Sequence, residues 1–474
     1  MKRIIFLLFV SIVCIALLSS FNTYYVRVPK VVVCLAFFFC YLFFLFQEKS
    51  IFKGMWHKPS NIFLICYMIV SFQYLIDFCL GYKTYQDFYV PSSVNKMSLT
   101  CLCGLICFIL GYYMTGIGKQ GQQKTDTCVK QINIIFLVIL QFSFFVGWIL
   151  TVNILALLSG IGYFVDDSGS AASIYENFFY DVTIAIFIAI IINSKNKNIS
   201  NLKSFLNEGS VITWILICIY CLIRLVSGDR GPALYMASAV FFTYMMITRK
   251  NIKLSKICIV ILLVALLINM IGMARSMPLN MSFSERIMTA FTEFSSSSES
   301  RFSEKTISPV TEELAISNRC NQIAIDLIDN GSDNYHYGKY TFYQTIQCIP
   351  FVPSYLAHTL KIPEDELSAN IKMTDVYHGT HEYTQIGTTI VADPYFDFGV
   401  IGVSLMLFLC GYIFKKVDSG VCLDTPSNWV QIAIVLLYAS MAVYIPRSTL
   451  IIQLKQLIPI CVFYYLNLLI SGKR

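Results

Sequence analysis

Long unbroken apolar runs, separated by short polar stretches, set the rhythm of this chain. Most runs approach the roughly 20 residues that a helix needs to cross a bilayer. They are continuous and do not alternate with period two, which favours helices over the strands of a barrel. Spans are predicted near 4–21, 31–46, 61–80, 97–115, 132–158, 176–192, 211–227, 231–248, 257–274, 398–414, 428–445 and 449–470. The pattern therefore predicts an all-α polytopic membrane protein with about twelve transmembrane helices. The first run follows Met1-Lys2-Arg3 as in a signal peptide, but no small-residue cleavage pattern follows it. It is read as a retained first span.

One interval breaks the rhythm. Residues 275–397 are far too long for a connector. The expected domains are 1–274 with the first nine helices, 275–397 as a large helical loop, and 398–474 with the last three. Ser308-Pro309 ahead of Glu312 and Glu313 predicts a helix start, and Gly331 predicts its end. Pro363, followed by acids, suggests another helix. Ser295 to Ser298 reads as a flexible stretch.

Composition supports the membrane reading. Apolar residues make up 56% of the 474 and charged residues only 13%, too few to cover a soluble surface. The net charge of +7 invites a nucleic-acid partner. The basic residues nevertheless sit in short clusters between apolar runs, so no nucleic-acid binding is expected. With the N-terminus inside, cytoplasmic segments hold 19 Lys and Arg and the short outer loops only six. That asymmetry places both termini in the cytoplasm and residues 275–397 in the periplasm. Many of the seventeen cysteines, Cys218 and Cys221 among them, lie inside apolar runs and read as small packing residues. No metal site is expected. Cys320 and Cys348 are candidates for a disulfide in an oxidising space.

Charges in or beside apolar runs are the informative ones, because lipid burial is costly. Asp77 and Asp181 read as snorkelling or structural acids, with Arg224 a candidate partner for Asp181. Arg230 lies in Gly228-Asp229-Arg230-Gly231-Pro232, a turn between two spans. A helix start with an adjacent arginine suits an anion, and so does a plain tight turn. Arg275 and Arg447 mark two more outer helix ends. The loop holds 16 acids, 8 bases and four of the five histidines. It ends in His378-Gly379-Thr380-His381-Glu382 and Gly387-Thr388-Thr389-Ile390-Val391-Ala392-Asp393-Pro394-Tyr395-Phe396-Asp397-Phe398-Gly399. Acids, imidazoles and aromatic faces of this kind bind sugar hydroxyls. The His378, His381, Glu382 spacing is a weak metal signal and no zincin motif.

Four segments together carry a family resemblance. They are the 228–232 turn after the Arg224 span, Arg275 closing the next outward span, His336-Tyr337-Gly338-Lys339-Tyr340 leading into Ile349-Pro350-Phe351-Val352-Pro353, and residues 387–402. The chain resembles the O-antigen polysaccharide polymerases, which join lipid-linked oligosaccharide repeat units. Asp393 stands where the family pattern usually has Glu, and Asp397 where it often has Asn.

The resemblance implies a metal-independent membrane glycosyltransferase of the C-type helical fold, without a cofactor, in the bacterial inner membrane. Its donor and acceptor would both be undecaprenyl-pyrophosphate-linked oligosaccharides. A chain-length-determining membrane protein is an implied partner. Arg224, Arg230, Arg275 and Arg447 are the candidates for the pyrophosphate. Asp393, His378, His381 and Glu382 are those for the proton of the acceptor hydroxyl. Tyr337, Tyr340 and Tyr395 offer faces for sugars. Two rivals are an O-antigen ligase and, from another class, a flippase or exporter of the lipid-linked oligosaccharide.

Overall fold

The computed structural model describes residues 55–82, 91–114, 132–154, 170–195, 199–227, 230–250, 305–308, 311–349, 368–379, 386–423 and 428–472, with isolated positions between them. Among these residues every regular element is a helix. In chain order they are α1 (Pro59–Cys79), α2 (Pro91–Met114), α3 (Ile135–Thr151), α4 (Ser170–Ser194), α5 (Leu202–Leu206), α6 (Val211–Val226) and α7 (Arg230–Thr248). Then come α8 (Glu312–Ala315), α9 (Asn318–Asp329), α10 (Lys339–Gln347), α11 (Ala369–His378), α12 (Ala392–Cys422), α13 (Trp429–Ser440) and α14 (Leu457–Ile470). Among the described residues, six segments are long and apolar enough to cross a membrane: Pro59–Cys79, Lys96–Met114, Ala171–Ser194, Gly231–Thr248, Ala392–Cys422 and Gln453–Ile470. The shorter apolar helices α3, α6 and α13 also fall where spans were expected. The runs at 4–21, 31–46 and 257–274 lie almost wholly outside the described residues. So do the serines at 295–298 and the helix expected after Pro363.

The chain divides into two compact units. The first comprises Met1–Gly116, Ser298–Lys416 and Ala442–Ile452. Here α1 starts on Pro59, which needs no N–H partner in the first turn. It ends at Gly81, whose φ of 76° suits a residue without Cβ. The N–H groups of Gly81 and Tyr82 close back on the carbonyls of Phe78 and Asp77, a Schellman ending. Apolar rings fill the interior: Phe63 stacks on Phe108 at 4.8 Å and meets Phe414 at 4.9 Å. Helix α2 and the 400–416 part of α12 approach through glycines. A Cβ on Gly111 would lie 1.9 Å from the Phe408 carbonyl oxygen, and one on Gly411 would lie 2.0 Å from that of Phe108.

Residues 305–308 and 311–329 fold onto these helices. Asp77, read from sequence as a snorkelling or arginine-paired acid, accepts from the Thr306 hydroxyl at 2.7 Å and the Ile307 N–H at 2.9 Å. Tyr74 donates to Glu312, and Gln73 donates to the Ser308 carbonyl. The expected helix start near Glu312 is present as α8. Helix α9 ends as expected before Gly331, at φ 71°, with the Gly331 N–H on the Ile328 carbonyl. The candidate disulfide between Cys320 and Cys348 is not formed.

The second unit comprises Ile117–Ser297, Val417–Met441 and Gln453–Arg474. Helices α3 and α4 pack along their lengths, with Phe144 against Phe178 and Phe463 at 5.3 and 5.5 Å. The Gln141 amide donates to Thr183 at 2.8 Å across the same pair. The expected Asp181–Arg224 pair does not form. Arg224 instead grips Glu176 through Nε at 2.6 Å and a second contact from Nη2, and stacks over Trp148. Tyr220 adds a 2.7 Å hydrogen bond to the same carboxylate. Asp181 is buried five residues further along α4, about 7.5 Å deeper at 1.5 Å per residue.

Candidate active site

In the first unit two of the motif segments interlock. Helix α10 begins on Gly338, which has φ 90°. A Cβ there would lie 3.1 Å from the Phe398 ring. Gly399, at φ 60°, is close packed in the same way against the Tyr335 ring. The backbone zips between them: the His336 N–H donates to the Phe396 carbonyl at 2.9 Å and the Tyr337 N–H to that of Asp397 at 3.0 Å. The Asp397 carboxylate then caps α10. It accepts from the N–H groups of Tyr340 and Thr341 at 3.1 and 2.8 Å and from the Thr341 hydroxyl at 2.6 Å. Free N–H groups at a helix start favour such an anion. Asp397 is fully buried, so its carboxylate is committed to this cap.

Asp393 lies one helical turn earlier. It is buried, and accepts from the Gln344 amide at 2.5 Å and from the Thr388 hydroxyl. Gln344 is carried by α10, so the Asp397 cap also sets the position of the Asp393 partner. Helix α12 starts under a second hydroxyl, Thr389, which receives the Ala392 N–H at 2.9 Å and donates to Asn321. Helix α12 is kinked at Phe398 and Gly399, where φ and ψ leave the helical region. The kink turns the Asp393 segment onto α9 and α10.

Arg447 closes a short 3₁₀ helix, Ile445–Arg447. This segment is tied to the motif by the Ile390 N–H on the Pro446 carbonyl at 3.4 Å. The Arg447 guanidinium lies 5.6 Å from the Tyr444 ring and has no ionic partner among the described residues. The charges of Arg319, Asp393 and Arg447 all reach the Cys320 thiol, which burial pushes up to about 12. The Cys320 thiol lies on the Ile386 and Gly387 carbonyls, Thr389 donates to Asn321 and the Ile390 N–H reaches the Pro446 carbonyl, so the segments that carry Asp393 and Arg447 meet beside the first turn of α9.

The remaining candidates are distributed differently. His378 ends α11 and is exposed. Partial burial and then the Arg319 charge hold its pKa below the usual 6.5, which keeps the ring neutral and able to accept a proton near neutral pH. Tyr337 is 79% exposed. Tyr340 and Tyr395 are buried instead: Tyr340 packs on His336 and Phe396, and the Tyr395 hydroxyl donates to Asp329 at 3.0 Å. Their faces serve the packing of the motif. Arg230 opens α7 in the second unit, where Arg224 is already held by Glu176. Arg275, His381 and Glu382 lie outside the described residues. Sequence reading missed Gln344, Thr388 and Glu176 as partners. Only Thr388 sat inside a recognised motif.

A clasp holds the far end of the loop. Asp333 meets His336 Nε2 at 2.9 Å and pairs with Lys372. Burial would raise the Asp333 pKa, but Lys372, His336 and the Asn334 N–H outweigh it and leave the carboxyl below its usual range.

Apolar helices of spanning length define a multi-pass helical membrane protein. The family described as O-antigen polysaccharide polymerase Wzy matches residues 1–473, and the chain belongs to that family. Its role is accordingly that of a membrane glycosyltransferase-type polymerase in O-antigen synthesis, and the family works on lipid-linked oligosaccharides. No curated protein and no solved structure matches the chain.

Proposed function

We propose that the protein transfers a growing glycan from undecaprenyl pyrophosphate to the non-reducing end of a new lipid-linked repeat unit. The family match over the whole chain carries this reading. The acceptor hydroxyl oxygen forms a bond to the anomeric carbon of the donor sugar. The bond from that carbon to the pyrophosphate oxygen breaks, and undecaprenyl pyrophosphate leaves with the electron pair. The hydroxyl proton passes to a base, for which Asp393 is the first candidate and the neutral His378 the second. Asp393 already accepts two hydrogen bonds, so an incoming hydroxyl finds an oriented carboxylate.

Negative charge grows on the leaving pyrophosphate, so a cation aimed there lowers the barrier more than it tightens ground-state binding. Arg447 is the candidate in the first unit, because no described acid neutralises it. Arg230 and Arg275 keep this role as proposals by sequence position. His381 and Glu382 stay proposals by sequence position, and Tyr337 offers an exposed face for a sugar. The reaction is read as metal-independent, inner-membrane and periplasm-facing, with both termini cytoplasmic and a chain-length-determining protein as partner. The test is gene deletion followed by gel analysis of surface polysaccharide. A polymerase mutant keeps one repeat per core. Bare core with accumulated lipid-linked glycan would point to a ligase, and blocked export to a flippase.

A further inference from the structure

We propose that Arg319 is a second phosphate-gripping residue of this site, acting beside Arg447 on the pyrophosphate of the lipid-linked substrate. The proposal rests on the polymerase reading and adds a residue which no motif marks.

Arg319 sits in the first turn of α9, and its guanidinium lies 4.6 Å from the centre of the Tyr377 ring. Its Nε is buried and has no hydrogen-bond partner, and neither does the buried Tyr377 hydroxyl. A charged donor removed from water without an acceptor is costly, so such a group is expected where a ligand completes it. Nearby cations do not share this state. Lys96 pairs with Asp329 and Lys372 with Asp333. The segment next to Arg447 reaches the same turn, because the neighbouring Cys320 thiol lies on the Ile386 and Gly387 carbonyls and the Ile390 N–H donates to the Pro446 carbonyl. Stacking engages only the face of an arginine, and its Nε–Nη edge matches two oxygens of one phosphate. The free Tyr377 hydroxyl can donate to a third. A sugar carboxylate presents a similar pair of oxygens. Phosphate is the better fit here, because two cations beside one hydroxyl donor suit a group with more than one charge.

The test measures binding of inorganic pyrophosphate, and separately of glucuronate, to the full-length protein in detergent. Polymerisation of lipid-linked repeats is followed in parallel. Arg319→Ala should weaken pyrophosphate binding roughly ten-fold or more, with partial recovery in Arg319→Lys, which restores charge without the fork. Tyr377→Phe should weaken it by a smaller factor. Glucuronate binding should change little. Thermal melting controls for folding, and Arg319→Lys is the variant least prone to misfold. Unchanged pyrophosphate affinity in Arg319→Ala, absence of binding by the wild type, or weakening confined to glucuronate would each overturn the proposal. If affinity is unchanged in Arg319→Ala while Asp393→Asn still abolishes polymer, the clamp fails and the polymerase reading stands. If affinity falls but the wild type makes no polymer, the clamp stands and the polymerase reading fails.

Discussion

Asp397 accepts both the backbone N–H and the hydroxyl of Thr341, at 2.8 and 2.6 Å, and so fixes α10 to the start of α12. Thr341 directly follows the 336–340 motif and Asp397 lies in 387–402, so the contact turns two sequence signatures into one structural unit. Removing the carboxylate leaves three donors unsatisfied in a buried place. Asp397→Ala should cost about 2–4 kcal/mol and expose α10 to protease. Asp397→Asn should cost less, because its amide oxygen still accepts. Thermal melting with limited proteolysis reads both.

The approach of α2 to α12 admits nothing larger than hydrogen. Gly111→Ala and Gly411→Ala each drive a methyl into a carbonyl oxygen at 1.9 or 2.0 Å. Both atoms belong to backbone, so the helices must separate, at about 1–3 kcal/mol each. Gly331→Ala serves as the comparison. Nothing lies within 4 Å of its Cβ, and only the positive φ is strained, costing about 1 kcal/mol. Melting temperatures in detergent should rank the three in that order.

Arg224 and Glu176 stand or fall together. Glu176→Ala removes the acceptor of Arg224 and Tyr220 at once, and should destabilise the second unit by about 2–4 kcal/mol. Arg224→Ala should lower protein level for the same reason. The double variant Arg224→Met, Glu176→Leu should accumulate better than either single change. Quantified membrane protein decides this, and additive losses would show that the two side chains do not act as a pair.

The Asp333 clasp has a defined pH response. Its folded-state pKa lies below the ordinary 3.8, so the unfolded chain takes up the proton first as pH falls. The stabilisation is complete above the unfolded value and disappears as pH drops through the folded one. Protection of the 333–378 region from protease should be constant from about pH 7 to 5 and weaken below about pH 4. Asp333→Asn should remove that acid dependence.

Some of this could be read from the chain and some could not, for a physical reason. Spans, loop and the Gly331 helix end are local signals, carried by runs of apolar residues and by single turns. The motifs at 336–340 and 387–402 were visible, but their docking through Asp397 joins residues 56 positions apart. No periodicity encodes that. Glu176 was missed because it lies near the start of an apolar run and reads as a flanking acid. Asp181 drew attention because it sits inside the run, yet the register of α4 against α6 puts Glu176 at the level of Arg224. Arg319 belongs to a polar helical turn whose buried side only the fold shows.

Purified protein shows whether lipid-linked repeats are joined and whether Asp393 takes part. Wild type in lipid nanodiscs, given undecaprenyl-pyrophosphate-linked repeat units, should produce a ladder of longer lipid-linked glycans and release undecaprenyl pyrophosphate. Chelation with EDTA should leave the ladder intact. Asp393→Asn, with the same shape and an unchanged melting temperature, should lower the rate at least about 100-fold, the range of a lost general base. Folded wild type that leaves single repeats unchanged would contradict the account, and a full ladder from Asp393→Asn would remove Asp393 from the chemistry.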